Sequence, residues 1–171
     1  AAKVRQAIDA GADIIVTVGG ASVGDHDLVQ GVLESEGMAL DFWKIAMRPG
    51  KPLMYGRLGG RRVLGLPGNP VSSLVCAHLF LRPLVARLGG RPSPLQIVKA
   101  SLGAAMGQND GRQDYVRAAV TDGDGGKIAT PLPVQDSSML RSFAASNGLI
   151  IRPPHAPPAD AGTTCSVLLT R

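Results

Sequence analysis

Aromatic side chains are scarce in this chain: three Phe, two Tyr and one Trp make up 4% of 171 residues. That scarcity removes the stacking platforms on which single-stranded nucleic acid is gripped and leaves aliphatic residues to fill the interior. Cysteine is rarer still. Cys76 and Cys165 have no CxxC partner, so reduced thiols in a cytoplasmic protein are expected, with a disulfide between the two left open. No secretory leader pattern and no uninterrupted apolar run of about 18 residues is present, so neither export nor a membrane span is expected. Long basic runs are absent too. The net charge of +5 comes from 18 Lys and Arg spread among 13 acids, which favours small anionic ligands over a nucleic-acid surface.

The remaining composition is 44% apolar, with 22 Gly and 13 Pro, that of a globular chain with many turns, in one domain or two small ones. The stretch from Val63 to Ser73 organises it. Val63, Leu64 and Leu66 suit a buried strand, Pro67-Gly68 stops it, and Asn69-Pro70 has the pattern of an N-cap followed by Pro at the first helical position. Unpaired amides at such a helix start, with the dipole behind them, form a site for phosphate or molybdate. Ser72 and Ser73 add hydroxyls. A well-capped helix start with no ligand fits the same residues, so a second turn is needed to decide.

Near the N-terminus, Val4, Ala7 and Ile8 give a short helix an apolar face, and Asp13 to Val18 come next as a strand. A helix feeding a buried strand is the second half of a β-α-β unit, so upstream residues are expected to complete the sheet. Directly after the strand comes Thr17-Val18-Gly19-Gly20-Ala21-Ser22-Val23-Gly24-Asp25-His26-Asp27. Gly19, Gly20 and Gly24 let backbone approach a ligand, Ser22 adds a hydroxyl, and Asp25 and Asp27 hold Mg²⁺, act on protons or cap the helix that follows. Open α/β sheets bind ligands beyond the carboxyl ends of their strands, so this turn and the one from Pro67 to Ser73 are expected to line one crevice.

Leu40 to Met47 reads as a strand on which Lys44 and Arg48 share a face, with Lys51 around the turn. The three cations either converge on an oxyanion or form a solvated edge. From Asn69 a long apolar helix runs towards Leu88, with a kink expected at Pro83. Gly89-Gly90-Arg91-Pro92-Ser93-Pro94 divides the chain into an α/β domain, residues 1–90, and a small β-barrel or sandwich, residues 91–171. In the second part 96–102, 113–120, 127–132, 148–152 and 164–170 read as strands, 137–145 as the single helix, and 122–126 as a hairpin tip.

These motifs, in order and spacing, resemble the C-terminal part of the MoeA family, the molybdopterin molybdenumtransferases. The resemblance rests on the Thr17–Asp27 turn, Phe42-Trp43-Lys44, Arg48-Pro49-Gly50-Lys51-Pro52, Gly65 to Ser72, Gly111 to Arg117, Ser137 to Leu140 and Ser146 to Leu149. It implies a three-layer α/β molybdopterin-binding domain, truncated at its N-terminus, followed by a small β-barrel domain. It implies an enzyme that inserts molybdate into adenylated molybdopterin and releases AMP, working with Mg²⁺. By the resemblance, Asp27, Lys44, Lys51 and Ser72 are catalytic. Gly19, Gly20, Ser22, Gly24, Arg48, Pro67, Gly68, Asn69, Pro70, Arg117 and Ser137 bind the cofactor precursor, and Asp25 and Asp27 hold the metal. Implied partners are a second copy in a full-length homodimer and the molybdopterin adenylyltransferase. That sister enzyme of the same fold is one alternative identity, and a non-catalytic scaffold is another. The segment from Ser93 to Arg171 separates the first of these, because the sister enzyme usually lacks a β domain.

Overall fold

Apolar residues at helical and strand spacing fill residues 1–90, and alternating strands dominate from residue 97 onward. The computed structural model describes residues 1–19, 28–92 and 94–171 and divides the chain into two compact units. One comprises residues 1–45 and 50–90, the other residues 46–49 and 91–171.

The first unit is a mixed α/β sheet. Its elements are α1 (Ala2–Asp9), β1 (Ile14–Val18), α2 (Leu28–Ser35) and β2 (Ala39–Trp43), and then, beyond the short β3 (Met47–Arg48) of the second unit, β4 (Met54–Leu58) and β5 (Arg61–Leu66). The strand order is β1-β5-β4-β2, with β1 and β5 parallel and the remaining pairs antiparallel. Period-two alternation sends Ile15, Met54, Leu58 and Val63 into one cluster with Leu33 of α2 and the apolar face of α1. Val71 and Val75, both at 0% exposure, are the most deeply buried valines of the helix that begins at Pro70.

That helix has three parts: α3 (Pro70–Cys76), a π-helical turn (Ala77–Leu81) and α4 (Arg82–Leu88). Pro83 cannot donate to the turn before it and its ring crowds that turn's carbonyl, and the wider π turn immediately upstream makes the accommodation. The whole stretch Pro70–Leu88 is long and apolar enough, by length and composition, to cross a membrane, with 28% of it buried. Counting only uninterrupted apolar residues overlooks it, because Ser, His and Arg punctuate the run.

One expected element is corrected. Leu40 to Met47 is not a single strand, because β2 ends at Trp43 and Lys44 turns the chain through φ +68°. The Lys44 and Ile45 amides then bond the Leu53 and Lys51 carbonyls, each at 2.9 Å. Met47 and Arg48 pair instead with a strand of the second unit, so Lys44 and Arg48 do not share a strand face.

The second unit is a closed barrel of β6 (Ile97–Leu102), β7 (Gln113–Gly123), β8 (Gly126–Pro131), β9 (Gly148–Arg152) and β10 (Thr164–Leu169), with α5 (Leu140–Ala144) between β8 and β9. The order β7-β8-β6-β10-β9 closes because β9 also pairs with β7, and β3 adds to β7 in parallel. Its interior is small: Ala100, Ala118 and Ala129 pack with Leu102, Val120, Ile150 and Val167. Burying Ile150 and Val167 contributes about 1.5–3 kcal/mol each. Gly148 is required by this tightness, since a β-carbon there would lie 2.6 Å from a methyl of Val120.

Candidate functional site

Parallel neighbours deliver their following turns to the same edge of a sheet, and β1 and β5 do so here. Val18 is in register with Leu66, and the Gly19 amide donates to the Leu66 carbonyl at 3.0 Å. Gly19 adopts φ +80°, which a side chain resists, and a β-carbon on Gly68 would stand 3.4 Å from the Gly19 Cα. The first residues of the two glycine turns are therefore in backbone contact at the carboxyl ends of the strands. The apposition expected from the sequence holds for Gly19 and Gly68. The rest of the first turn, with Gly20, Ser22, Gly24, Asp25, His26 and Asp27, lies outside the described residues.

On the β5 side, Pro67 is buried while Gly68, Asn69 and Pro70 are exposed. Asn69 takes the N-cap position with extended backbone and Pro70 the first helical one, but the Asn69 side chain makes no capping bond. The Ser73 amide closes the first helical bond on the Asn69 carbonyl at 2.9 Å. The amides of Val71 and Ser72 consequently lack an intrahelical acceptor, the arrangement that binds anions. Ser72 itself is 5% exposed, so its hydroxyl belongs to the wall of the turn.

The three cations fall in two different units. Lys44 and Lys51 are exposed in the α/β unit, tied by the two backbone bonds that close the turn between them. The Lys44 ammonium lies 3.8 Å from the centre of the Trp43 ring, an attraction that orients it. A lysine in the left-handed region costs about 1–2 kcal/mol, offset here by those bonds and the ring. Arg48 falls in the barrel unit and is not a free cation. Its Nε donates to Asp114 Oδ2 at 3.1 Å, its Nη1 to Asp110 Oδ2 at 3.2 Å and its Nη2 to Asn109 Oδ1 at 3.3 Å, and Nη2 also donates to Asp114. Arg112 bonds Asp110 through its side chain and its amide, which together with Arg48 holds that carboxyl down at about 2.

Arg117 is 1% exposed. Its guanidinium donates to Ser142 Oγ and to the Val134 and Asp136 carbonyls at 3.2–3.3 Å, while Gln135 bonds its backbone on both sides. Burial lowers its pKa, with Asp136 opposing. Arg117 thus holds the loop that carries the half-buried Ser137; the family resemblance implies a ligand contact for both. A cleft of about 340 Å³ in this unit is lined by Arg48, Asp114, Tyr115, Arg117 and Gln135, among others. Sequence reasoning missed Asn109, Asp110, Asp114 and Gln135. Asp114 alone left a signal, an acid near the start of a strand, whose charge requires a partner once buried.

Known proteins share this two-part arrangement. A family model described as probable molybdopterin binding domain matches residues 1–87, and one described as MoeA C-terminal region (domain IV) matches residues 99–170. A molybdopterin molybdenumtransferase of Haemophilus influenzae is 36% identical over 159 residues, covering 91% of this chain and 39% of the relative. One from Bacillus subtilis is 33% identical over 160 residues, covering 93% and 37%. The crystal structure of a molybdopterin biosynthesis MoeA protein from Pyrococcus horikoshii superposes with a TM-score of 0.80 at 29% identity, covering 99% of this chain and 40% of that one. The chain spans about two fifths of the length of the curated relatives it matches.

Proposed function

The chain belongs to the MoeA family, and from that premise we propose that it acts in molybdenum cofactor biosynthesis, inserting molybdate into adenylated molybdopterin with release of AMP. The observation that carries the reading is the close approach of Gly19 to Gly68 beside a helix start whose Val71 and Ser72 amides have no intrahelical acceptor. A phosphate group is the ligand such a rim suits. The barrel domain favours the transferase over the adenylyltransferase of the same fold.

In this reading the Gly19, Gly68 and Asn69 backbone, with Gly20, Ser22 and Gly24, grips the phosphate end of the pterin, and Pro67 and Pro70 fix the turn's shape. Lys44 and Lys51 attract molybdate and stabilise charge on the phosphoanhydride as it breaks, and Ser72 orients the group bound at the helix start. Asp27 orders the water that attacks the phosphoanhydride, AMP departs, and the dithiolene sulfurs replace one oxo group of molybdate, which leaves as water with the two thiol protons. Arg48 and Ser137 bear on the oxyanion in the barrel unit, and Arg117 keeps the Ser137 loop in place. Asp25 and Asp27 are the hard oxygen donors that Mg²⁺ takes, and the ion, when bound, neutralises phosphate charge. Among the described residues no group of three or more His, Cys, Asp or Glu could hold a metal. A homodimer, contact with the adenylyltransferase and a cytoplasmic location belong to the same proposal.

The test measures AMP release from adenylated molybdopterin, with Mg²⁺ and molybdate, by the natural protein carrying these residues. The reading expects release by the wild type and at least a hundredfold loss, on the order of 10², in Asp27→Ala. Equal rates in the two proteins remove the role given to Asp27, and no release by either removes the function.

A further inference from the structure

Arg48 lies between two carboxylates in very different settings. Asp114 is its cross-strand partner in the β3–β7 register, is 7% exposed, and receives both Nε and Nη2 on one oxygen. Its other oxygen is buried with no partner among the described residues. Asp110 touches only Nη1, its side chain is 45% exposed, and it is already held by Arg112 at 2.8 Å and by the Arg112 amide at 2.9 Å. A buried carboxylate that accepts two guanidinium donors fixes the plane of the arginine, since giving up that pair strands a charge away from water. An exposed carboxylate with a second partner gives up its contact at little cost.

We propose that Asp114 is a positioning residue that clamps Arg48, and that Asp110 is a placeholder anion on Nη1 which an incoming tetrahedral oxyanion displaces. The displaced Asp110 stays with Arg112, so the exchange leaves no carboxylate unpaired. This rests on the reading of the protein as an oxyanion-handling MoeA member, and adds which acid orients the cation and which yields it. The two acids, on the same cation, then have opposite effects on anion binding. Simple charge removal predicts the same sign for both.

The experiment titrates molybdate into the full 171-residue chain by calorimetry for wild type, Asp110→Ala, Asp114→Ala and Asp114→Asn, with the Arg48 Nε–H NMR signal recorded in each protein before molybdate is added. Removal of the placeholder is expected to tighten molybdate about two- to fivefold and to leave the Nε–H signal in place. Asp114→Ala is expected to weaken binding about tenfold or more and to lose the signal. Asp114→Asn keeps an acceptor while lifting a charge, so it binds at least as well as wild type and keeps the Nε–H signal; where Asp114→Ala fails to fold, weaker binding or a lost signal in Asp114→Asn overturns the clamp. Tighter binding in both alanine variants, or a persistent Nε–H signal in Asp114→Ala, overturns the clamp. A signal pattern as expected with no molybdate bound by the wild type overturns the exchange, and with it the oxyanion reading for this cleft. AMP release by the natural protein is a separate readout, so it shows whether the wider function fails with them.

Discussion

Replacing Gly19 with alanine separates what the backbone costs from what the site requires. Gly19 sits at φ +80° and a β-carbon there would lie 3.7 Å from the Gly68 Cα, an ordinary contact, with no overlap among the described residues. The left-handed conformation costs an alanine about 1–2 kcal/mol, and the stiffer unfolded chain returns about 0.4–1 kcal/mol. The net loss of stability is therefore about 1 kcal/mol. Gly11 is the matched control: it has φ +74° and nothing within 4 Å of a β-carbon. Both variants should lose the same stability in urea melts. They should differ in binding, because a Gly19 methyl would stand against Gly68, at the rim proposed to grip the phosphate. Loss of one amide–phosphate contact is worth about 1.4 kcal/mol, or tenfold in Kd. Equilibrium binding of adenylated molybdopterin to Gly11→Ala, Gly19→Ala and wild type decides the matter. Equal affinity in all three proteins refutes the role of the rim, and a Gly19→Ala destabilisation far above that of Gly11→Ala refutes the backbone reasoning.

Removal of the buried Arg117 guanidinium should destabilise the barrel unit by about 3 kcal/mol in Arg117→Ala and speed hydrogen exchange in residues 132–142, as read by urea melts and exchange mapping. Because the Asp110 carboxyl is held at about 2 in the folded chain by Arg112 and Arg48, against about 3.9 when unfolded, its contribution is present above about pH 4 and lost as pH falls towards about 2. The difference in urea midpoint between wild type and Asp110→Asn should be flat above about pH 5 and vanish near about pH 2. A difference growing with acidification contradicts that sign. Burial pushes the Cys76 thiol up to about 12 and raises Cys165 less, so a thiol reagent at about pH 8 should label Cys165 slowly and Cys76 only in denaturant.

Local signals were strongest where a backbone rule leaves few choices. Pro70 after Asn69 marked a helix start that stands at the same residue, and the turn residues separating 97–102, 113–123, 126–131, 148–152 and 164–169 marked the barrel strands. The break at Lys44 was hidden because a left-handed lysine leaves no compositional trace, and its stability comes from bonds to Leu53 and Lys51 that alternation does not report. The partners of Arg48 were hidden for the same reason. Asn109, Asp110 and Asp114 stand 61, 62 and 66 residues away, and one-dimensional spacing cannot pair charges that far apart. Arg117 was singled out only through the family resemblance, and its role as a loop strut needed the carbonyls of Val134 and Asp136.

Whether the turns after β1 and β5 form one phosphate-gripping rim is decided by amide chemical-shift mapping of the chain with adenylated molybdopterin. The largest shifts are expected at Gly19, Gly68, Asn69, Val71 and Ser72. Saturable binding that leaves these five amides unmoved would contradict the shared rim.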